Sequence, residues 1–127
     1  MTDDLYPAVT SDLARKRREL APDTAAAFHA FGQAVFADGA LSTRFKHIIA
    51  VAVAHVTQCP YCISGHTKAA LRNGASREEL MEGIWVAAEM RAGGAFAHSI
   101  IALAQMDEAG PAGCGYAPDS RQSGDRP

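Results

Sequence analysis

Apolar side chains recur every three or four residues along most of this chain, which is the spacing of helices that bury one face. Residues 23–37 predict a helix with three large apolar side chains on one side, namely Phe28, Phe31 and Val35. Residues 43–57 predict another helix, in which His55 is the only strongly polar side chain between Ile48 and Val56. We therefore expect this helix to be buried on most sides. No segment alternates apolar and polar side chains, so the pattern predicts an all-α fold.

The first three helices are predicted from their start signals. Thr10 or Ser11 caps a helix that runs to about Leu20, and Pro22 restarts the chain because proline fits the first turn. Ser42 is the predicted cap of the third helix.

The last three helices follow from capping and stop signals. Asn73-Gly74 ends the fourth helix, and Ser76 with Glu79 forms a capping box at the start of the fifth. Gly93-Gly94 is expected to interrupt the fifth helix, so that residues 95–108 form a sixth. The sequence thus predicts a single-domain helical bundle of about six helices.

Length and composition change this picture little. The chain has 127 residues, 48% of them hydrophobic, which suits one domain with a real core. We place that all-α domain at residues 1–108, followed by a disordered tail at 109–127 that contains Cys114. A net charge of −2 gives no reason to expect nucleic-acid or membrane partners, and the basic run at 15–18 fits a solvated helix face.

The expected location is the cytoplasm. The N-terminus is acidic and has no apolar stretch of the kind found in signal peptides, and no run approaches the length of a membrane span. Three cysteines are too few for a disulfide scaffold, which favours a reducing compartment. In that setting a Cys-x-x-Cys motif is more often catalytic or metal-binding than a static crosslink.

The chemistry of the chain is concentrated in Cys59-Pro60-Tyr61-Cys62 and His66. At the start of a helix these two thiols and the imidazole share one face, since each residue turns the helix by about 100°. Unpaired N–H groups and the dipole at a helix N-terminus stabilise a thiolate, and a nearby histidine adds to the effect. A thiolate attacks peroxides or disulfides, and a second thiol one turn away can close a protective disulfide.

Other uses of the same residues remain open at this stage. Cys59, Cys62 and His66 could bind zinc, with His47 or His55 as the fourth ligand. His55 is equally consistent with a hydrogen-bonded core histidine. Haem attachment is excluded because Ile63, and not a histidine, follows the second cysteine.

The motif and its surroundings resemble the AhpD-like alkylhydroperoxidases of the carboxymuconolactone decarboxylase superfamily. The similarity spans Lys46 to His98 and includes the segments 50–67, 73–79 and 91–95. It implies an all-α fold, assembly as a homotrimer or homohexamer, and reduction of hydroperoxides by the paired cysteines with electrons from a thiol-based donor. It implies no metal or organic cofactor. The alternatives are a decarboxylase-type enzyme acting on a small lactone or acid, and a non-catalytic zinc-binding or redox-sensing oligomer.

The resemblance also implies a role for each site residue. Cys62 matches the sulfur that attacks peroxide, Cys59 matches its resolving partner, and His66 matches the histidine of the proton relay. The family has a glutamate twelve positions before the first cysteine, and His47 occupies that position in this chain. A neutral imidazole can accept a proton, but it brings no fixed negative charge.

The two thiols are distinguished by competing effects. The helix dipole favours Cys59, whereas a hydrogen bond from His66 one turn away favours Cys62. The dipole contributes about 0.3–1 kcal/mol, less than the roughly 1.5–3 kcal/mol of a charged hydrogen bond. The sequence therefore predicts Cys62 as the low-pKa nucleophile.

Overall fold

The computed structural model describes residues 5–111 and contains five α-helices in that part of the chain. These are α1 (Ser11–Leu20), α2 (Pro22–Phe36), α3 (Thr43–Thr57), α4 (Pro60–Arg72) and α5 (Arg77–Ala109). No strand occurs between residues 5 and 111, which confirms the all-α fold class. The predicted tail lies almost wholly outside the described residues, and Cys114 lies outside them.

The helices begin where the capping residues predict. Thr10 accepts a hydrogen bond from the backbone N–H of Leu13, and Ser42 accepts one from Phe45. The capping box is reciprocal, because the Glu79 N–H donates to the Ser76 hydroxyl while the Ser76 N–H donates to the Glu79 carboxylate. Each cap satisfies N–H groups that the first turn of a helix leaves without partners.

The prediction of a break at Gly93-Gly94 is wrong. Helix α5 is 33 residues long and continues through both glycines. The described part of the chain therefore has five helices rather than about six. A glycine within a helix costs about 1 kcal/mol relative to alanine, which lowers stability without removing the hydrogen-bond ladder. The actual end has Gly110 at a φ of 73°, a left-handed conformation that glycine adopts readily.

The core lies where α3 and α4 pack against the start of α5. Val51 and Ala70 are fully buried, and Ala75 and Leu80 are buried beside them. The small alanine side chains allow the backbones to approach closely. Ile48 and Ile84 pack against the cluster and are partly buried. An ion pair between Arg44 and Glu79 further links α3 to the capping box of α5.

The expectation that α3 is buried on most sides is also wrong for the single chain. Only Val51 and Ala54 of this helix are buried, while Ile49, Val53 and Val56 are 41%, 52% and 46% exposed. Within the described residues, much of the apolar face of α3 is therefore left exposed.

The contacts of the chain divide it into two compact units at Met90 and Arg91. The first unit contains α1 to α4, the first part of α5, and the cysteine motif. In the second unit, five large apolar side chains of α5 are exposed: Phe96, Ile100, Ile101, Leu103 and Met106. No helix in the described range is both long enough and apolar enough to cross a bilayer.

Candidate active site

The cysteine motif occupies the tight connection between α3 and α4. Gln58 adopts the left-handed conformation with a φ of 58°, which ends α3 and turns the chain. Cys59 is the N-cap of α4, and Pro60 occupies the first turn of that helix. Cys59 therefore lies just before the helix rather than within it, with its sulfur at the positive end of the α4 dipole.

The two sulfur atoms form a close pair. Cys59 Sγ lies 2.9 Å from Cys62 Sγ and 3.3 Å from the backbone nitrogen of Cys62, and both thiols are free. The hydrogen bond between the two thiols, with the one from the Cys62 N–H, lowers the pKa of Cys59. The same thiol contact raises the pKa of Cys62, and burial and the Cys59 charge add to the rise. Of the two thiols, Cys59 is therefore the one that gives up its proton more readily.

This order contradicts the predicted one, in which Cys62 has the lower pKa. That prediction required a hydrogen bond from His66 to Cys62, and within residues 5–111 neither His66 nor His47 hydrogen bonds to a sulfur. At the N-cap position, the Cys59 sulfur instead accepts a hydrogen bond from the Cys62 N–H and contacts the Cys62 sulfur. Which sulfur attacks a substrate is a separate question, because a thiolate of higher pKa is the stronger nucleophile once it has lost its proton.

His66 is paired with His47 across the two helices. The Nδ1 atoms of the rings lie 3.0 Å apart, a normal hydrogen-bond distance. Phe36, at the end of α2, stacks on His47 with ring centres 4.5 Å apart and on His66 at 4.9 Å. The structure thus brings the two candidate histidines together. It adds an aromatic residue that the sequence did not single out, since Phe36 lies outside the apolar stripe of α2.

His47 is held toward its neutral form. Burial lowers the pKa of His47, and the nearby charges of His66 and Arg72 lower it further. A neutral His47 can donate or accept at Nδ1, so it can support His66 without carrying the fixed charge of a carboxylate.

The lowered pKa of His47 predicts a loss of stability in mild acid. The unfolded chain binds a proton at this residue at higher pH than the folded chain does, so stability falls as the pH drops below the usual histidine value. We expect the urea midpoint of the reduced protein to fall between about pH 7.5 and about pH 5.5, and to fall less in His47→Gln. The exposed His29 serves as the control, since His29→Gln should leave the slope unchanged. Equal slopes in wild type and His47→Gln would refute the assignment.

The remaining candidates have structural roles. His55 donates from Nδ1 to the carbonyl of Val51 at 2.7 Å, the hydrogen-bonded alternative foreseen for it. Tyr61 donates its hydroxyl to the Pro7 carbonyl at 2.8 Å, and its ring meets the edge of Tyr6. Tyr61 also lines an open cleft of about 500 Å³.

Between residues 5 and 111 the side chains do not gather into a metal site. Throughout the part of the chain that the structure describes, no three His, Cys, Asp or Glu side chains are placed to hold one ion. The cysteines pair with each other and the histidines pair with each other. The arrangement therefore differs from the four-ligand zinc site that the sequence left open.

Residues 22–105 match the model of the carboxymuconolactone decarboxylase family. The chain belongs to this family. The match includes both cysteines, both paired histidines and Phe36. Membership in the carboxymuconolactone decarboxylase family confirms the resemblance drawn from the motif.

Two relatives from bacteria extend the comparison. The chain is 66% identical over 82 residues to "Uncharacterized protein 4 in cox locus" of Paracoccus denitrificans, covering 65% of this chain and 74% of that protein. It is 37% identical over 86 residues to an uncharacterized protein of Cupriavidus necator, covering 68% of this chain and 76% of the relative. The names of these relatives state no activity.

Two solved structures share the fold. One is a carboxymuconolactone decarboxylase family protein from Legionella pneumophila, crystallised in its apo form. It has a TM-score of 0.60 and 36% identity over 63% of this chain and 71% of that one. The other is a protein from Methanobacterium thermoautotrophicum, with a TM-score of 0.62 and 36% identity over 65% of this chain and 93% of that one. Both likenesses support the all-α fold of this family.

Proposed function

We propose that this family member is a thiol-dependent peroxidase or disulfide reductase that uses the Cys59–Cys62 pair. The observation that supports this most is the 2.9 Å approach of two free sulfurs at the N-terminus of α4. A small movement converts such a contact into a disulfide, and the helix end stabilises the thiolate on which the chemistry depends. A reducing cytoplasm is the setting that would return the pair to its thiol form.

In the proposed first step, Cys62 attacks the hydroperoxide. The imidazole pair accepts the Cys62 proton, directly or through a water molecule, so that the more nucleophilic of the two sulfurs becomes a thiolate. Cys62 Sγ then bonds to the terminal peroxide oxygen, and the O–O bond breaks. Cys62 becomes a sulfenic acid, and the alkoxide takes a proton and leaves as an alcohol.

In the second step, the Cys59 thiolate attacks the sulfur of the sulfenic acid. An S–S bond forms, the S–O bond breaks, and the hydroxide that leaves is protonated to water. Cys59 suits this role because its sulfur is in contact with Cys62 and its pKa is lowered, so that it gives up its proton readily. An external dithiol then reduces the Cys59–Cys62 disulfide and is itself oxidised to a disulfide.

His66 is proposed as the residue that accepts the Cys62 proton, since side chains four apart on a helix are neighbours. The structure has no hydrogen bond between these two side chains, and catalytic hydrogen bonds often tighten only when substrate binds. His47 takes the position of the family glutamate and bonds to His66 through Nδ1. In this proposal, His47 orients the imidazole of His66 and shares its proton, in place of the carboxylate of the family glutamate.

We also propose that the working form is a homotrimer or homohexamer. Exposed apolar side chains on α3, such as Ile49 and Val53, and on the second unit of α5, such as Phe96 and Ile100, support this assembly. Light scattering at micromolar concentration should give a mass of at least three chains. A stable monomer under those conditions would contradict the proposal.

Turnover is the experiment that tests the function. The reduced protein, supplied with an organic hydroperoxide and a dithiol such as dithiothreitol, should consume the peroxide catalytically and release the alcohol. The double variant Cys59→Ser/Cys62→Ser is the matched control and should be inactive. A wild-type rate equal to that of the double variant would refute the proposal and favour a decarboxylase-type or non-catalytic role for this chain.

A further inference from the structure

His47, His66 and Phe36 form a three-ring cluster with a defined arrangement. The centres of the two imidazoles are 5.2 Å apart while their Nδ1 atoms are 3.0 Å apart, so the rings meet edge to edge. The phenyl ring lies nearly parallel to His47, with an angle of 7° between their planes, and is tilted by 27° to His66. Phe36 therefore lies across both rings of the hydrogen-bonded pair.

Facing Nδ1 atoms limit the protons that the pair can hold. One Nδ1 must carry hydrogen and the other must be bare, because two N–H groups or two lone pairs at this distance repel each other. The neutral pair therefore has one bare Nε2 and one Nε2–H. A proton added at the bare Nε2 makes that ring cationic and strengthens its hydrogen bond to the partner. A second proton would break the bond, so the pair acts as a one-proton acceptor.

Phe36 is itself held in place through its backbone. Its carbonyl accepts a hydrogen bond from the Thr43 hydroxyl at 2.7 Å, and the next carbonyl, of Ala37, accepts one from the Lys46 ammonium at 2.6 Å. These bonds tie the end of α2 to the start of α3, the helix that carries His47. The phenyl ring is therefore positioned by the same helix that positions one of the two imidazoles.

The imidazoles need such a support because the last torsion of histidine is broad and roughly two-fold. A flipped ring would present carbon where Nδ1 now lies and would lose the 3.0 Å contact. A flat phenyl face stacked on both rings restricts that rotation. The phenyl ring also shields the pair from water on one side, which strengthens the hydrogen bond. Besides burial, the charges of His66 and Arg72 act on His47.

We propose that Phe36 is a positioning residue that holds His47 and His66 as a single proton-sharing unit. The catalytic consequence rests on the proposed function, because the unit would accept the Cys62 proton. The geometry of the unit does not rest on it and can be measured in the resting protein.

Nuclear magnetic resonance of the ¹⁵N-labelled, reduced full chain tests the unit without any substrate. The wild type should have a scalar coupling between the two Nδ1 nuclei across the hydrogen bond and should take up one proton where two separate histidines would take up two. Phe36→Leu should lose the coupling and titrate as two separate rings. Phe36→Tyr keeps a flat ring and should retain it. Phe31→Leu, which alters an exposed phenyl on the same helix, should also retain it.

Three outcomes would overturn the proposal. These are a wild type without the coupling, a Phe36→Leu protein that keeps it, and a Phe36→Tyr protein that loses it. Folding of Phe36→Leu is checked by its helical circular dichroism, and the tyrosine variant keeps the test valid if the leucine variant unfolds.

A second readout links the unit to reactivity. At neutral pH, Phe36→Leu should slow the oxidation of the thiols by hydroperoxide about tenfold, a part of what a general base contributes. Phe36→Tyr should restore the rate. A slow Phe36→Leu with intact coupling would overturn the positioning role. A wild type that has the coupling but does not react would refute the peroxidase proposal alone.

Discussion

Cys62→Ser is expected to abolish the reaction with hydroperoxide, whereas Cys59→Ser should react once and then stall. Serine keeps the size of the side chain but removes the sulfur that would attack the peroxide. In Cys59→Ser the attacking sulfur remains and the resolving sulfur is missing, so a sulfenic acid should accumulate on Cys62. Dimedone traps sulfenic acids, and mass spectrometry of the labelled protein identifies the modified residue.

The lower pKa of Cys59 makes this the sharpest test of the two roles. If the thiol with the lower pKa is also the one that attacks peroxide, the trapped sulfenic acid will form in Cys62→Ser and not in Cys59→Ser. That result would reverse the assignment and would mean that the N-cap position, rather than the histidine pair, selects the attacking sulfur. Each variant keeps only one of the two paired thiols, so each serves as the control for the other.

Replacing His66 should have the next largest effect. General acid–base catalysis contributes typically 10²–10⁴-fold, so His66→Gln should slow sulfenic acid formation by about 100-fold at neutral pH. His47→Gln should cost less, about tenfold, because His66 would keep a base and lose only its Nδ1 partner. Stopped-flow measurement of thiol oxidation under excess hydroperoxide gives these rates.

The matched control for the histidines is His29→Gln, an exposed position on α2 that should leave the rate unchanged. A His66→Gln protein as fast as the control would show that Cys62 loses its proton to another group. The Cys59 sulfur, which lies 2.9 Å from the Cys62 sulfur, would then be the candidate base.

The sequence predicted the parts of this structure that depend on neighbouring residues. Helix starts at Ser42 and Ser76 followed from side chains that cap their own backbone, and Asn73-Gly74 ended α4 as expected. The cysteine motif at the start of α4 was likewise predictable, because proline at the first helical position is a local signal.

Other features depend on contacts that lie far apart in the chain. Phe36 stacks on rings from two other helices, and nothing in its own segment indicates this. The order of the thiol pKa values depends on the contacts between Cys59 and Cys62, while His66 pairs with His47 of α3 rather than with Cys62. The sequence indicates that α3 has many apolar side chains, but a single sequence does not say whether a neighbouring helix or another subunit covers them.

Counting thiols after oxidation tests the central claim most directly. The fully reduced protein, treated with one equivalent of an organic hydroperoxide, should lose two thiols and two mass units, and a peptide map should join Cys59 to Cys62. Cys114 should remain free to react with iodoacetamide. The proposed function would be contradicted if all three thiols survived, or if the crosslink joined Cys114 to either motif cysteine.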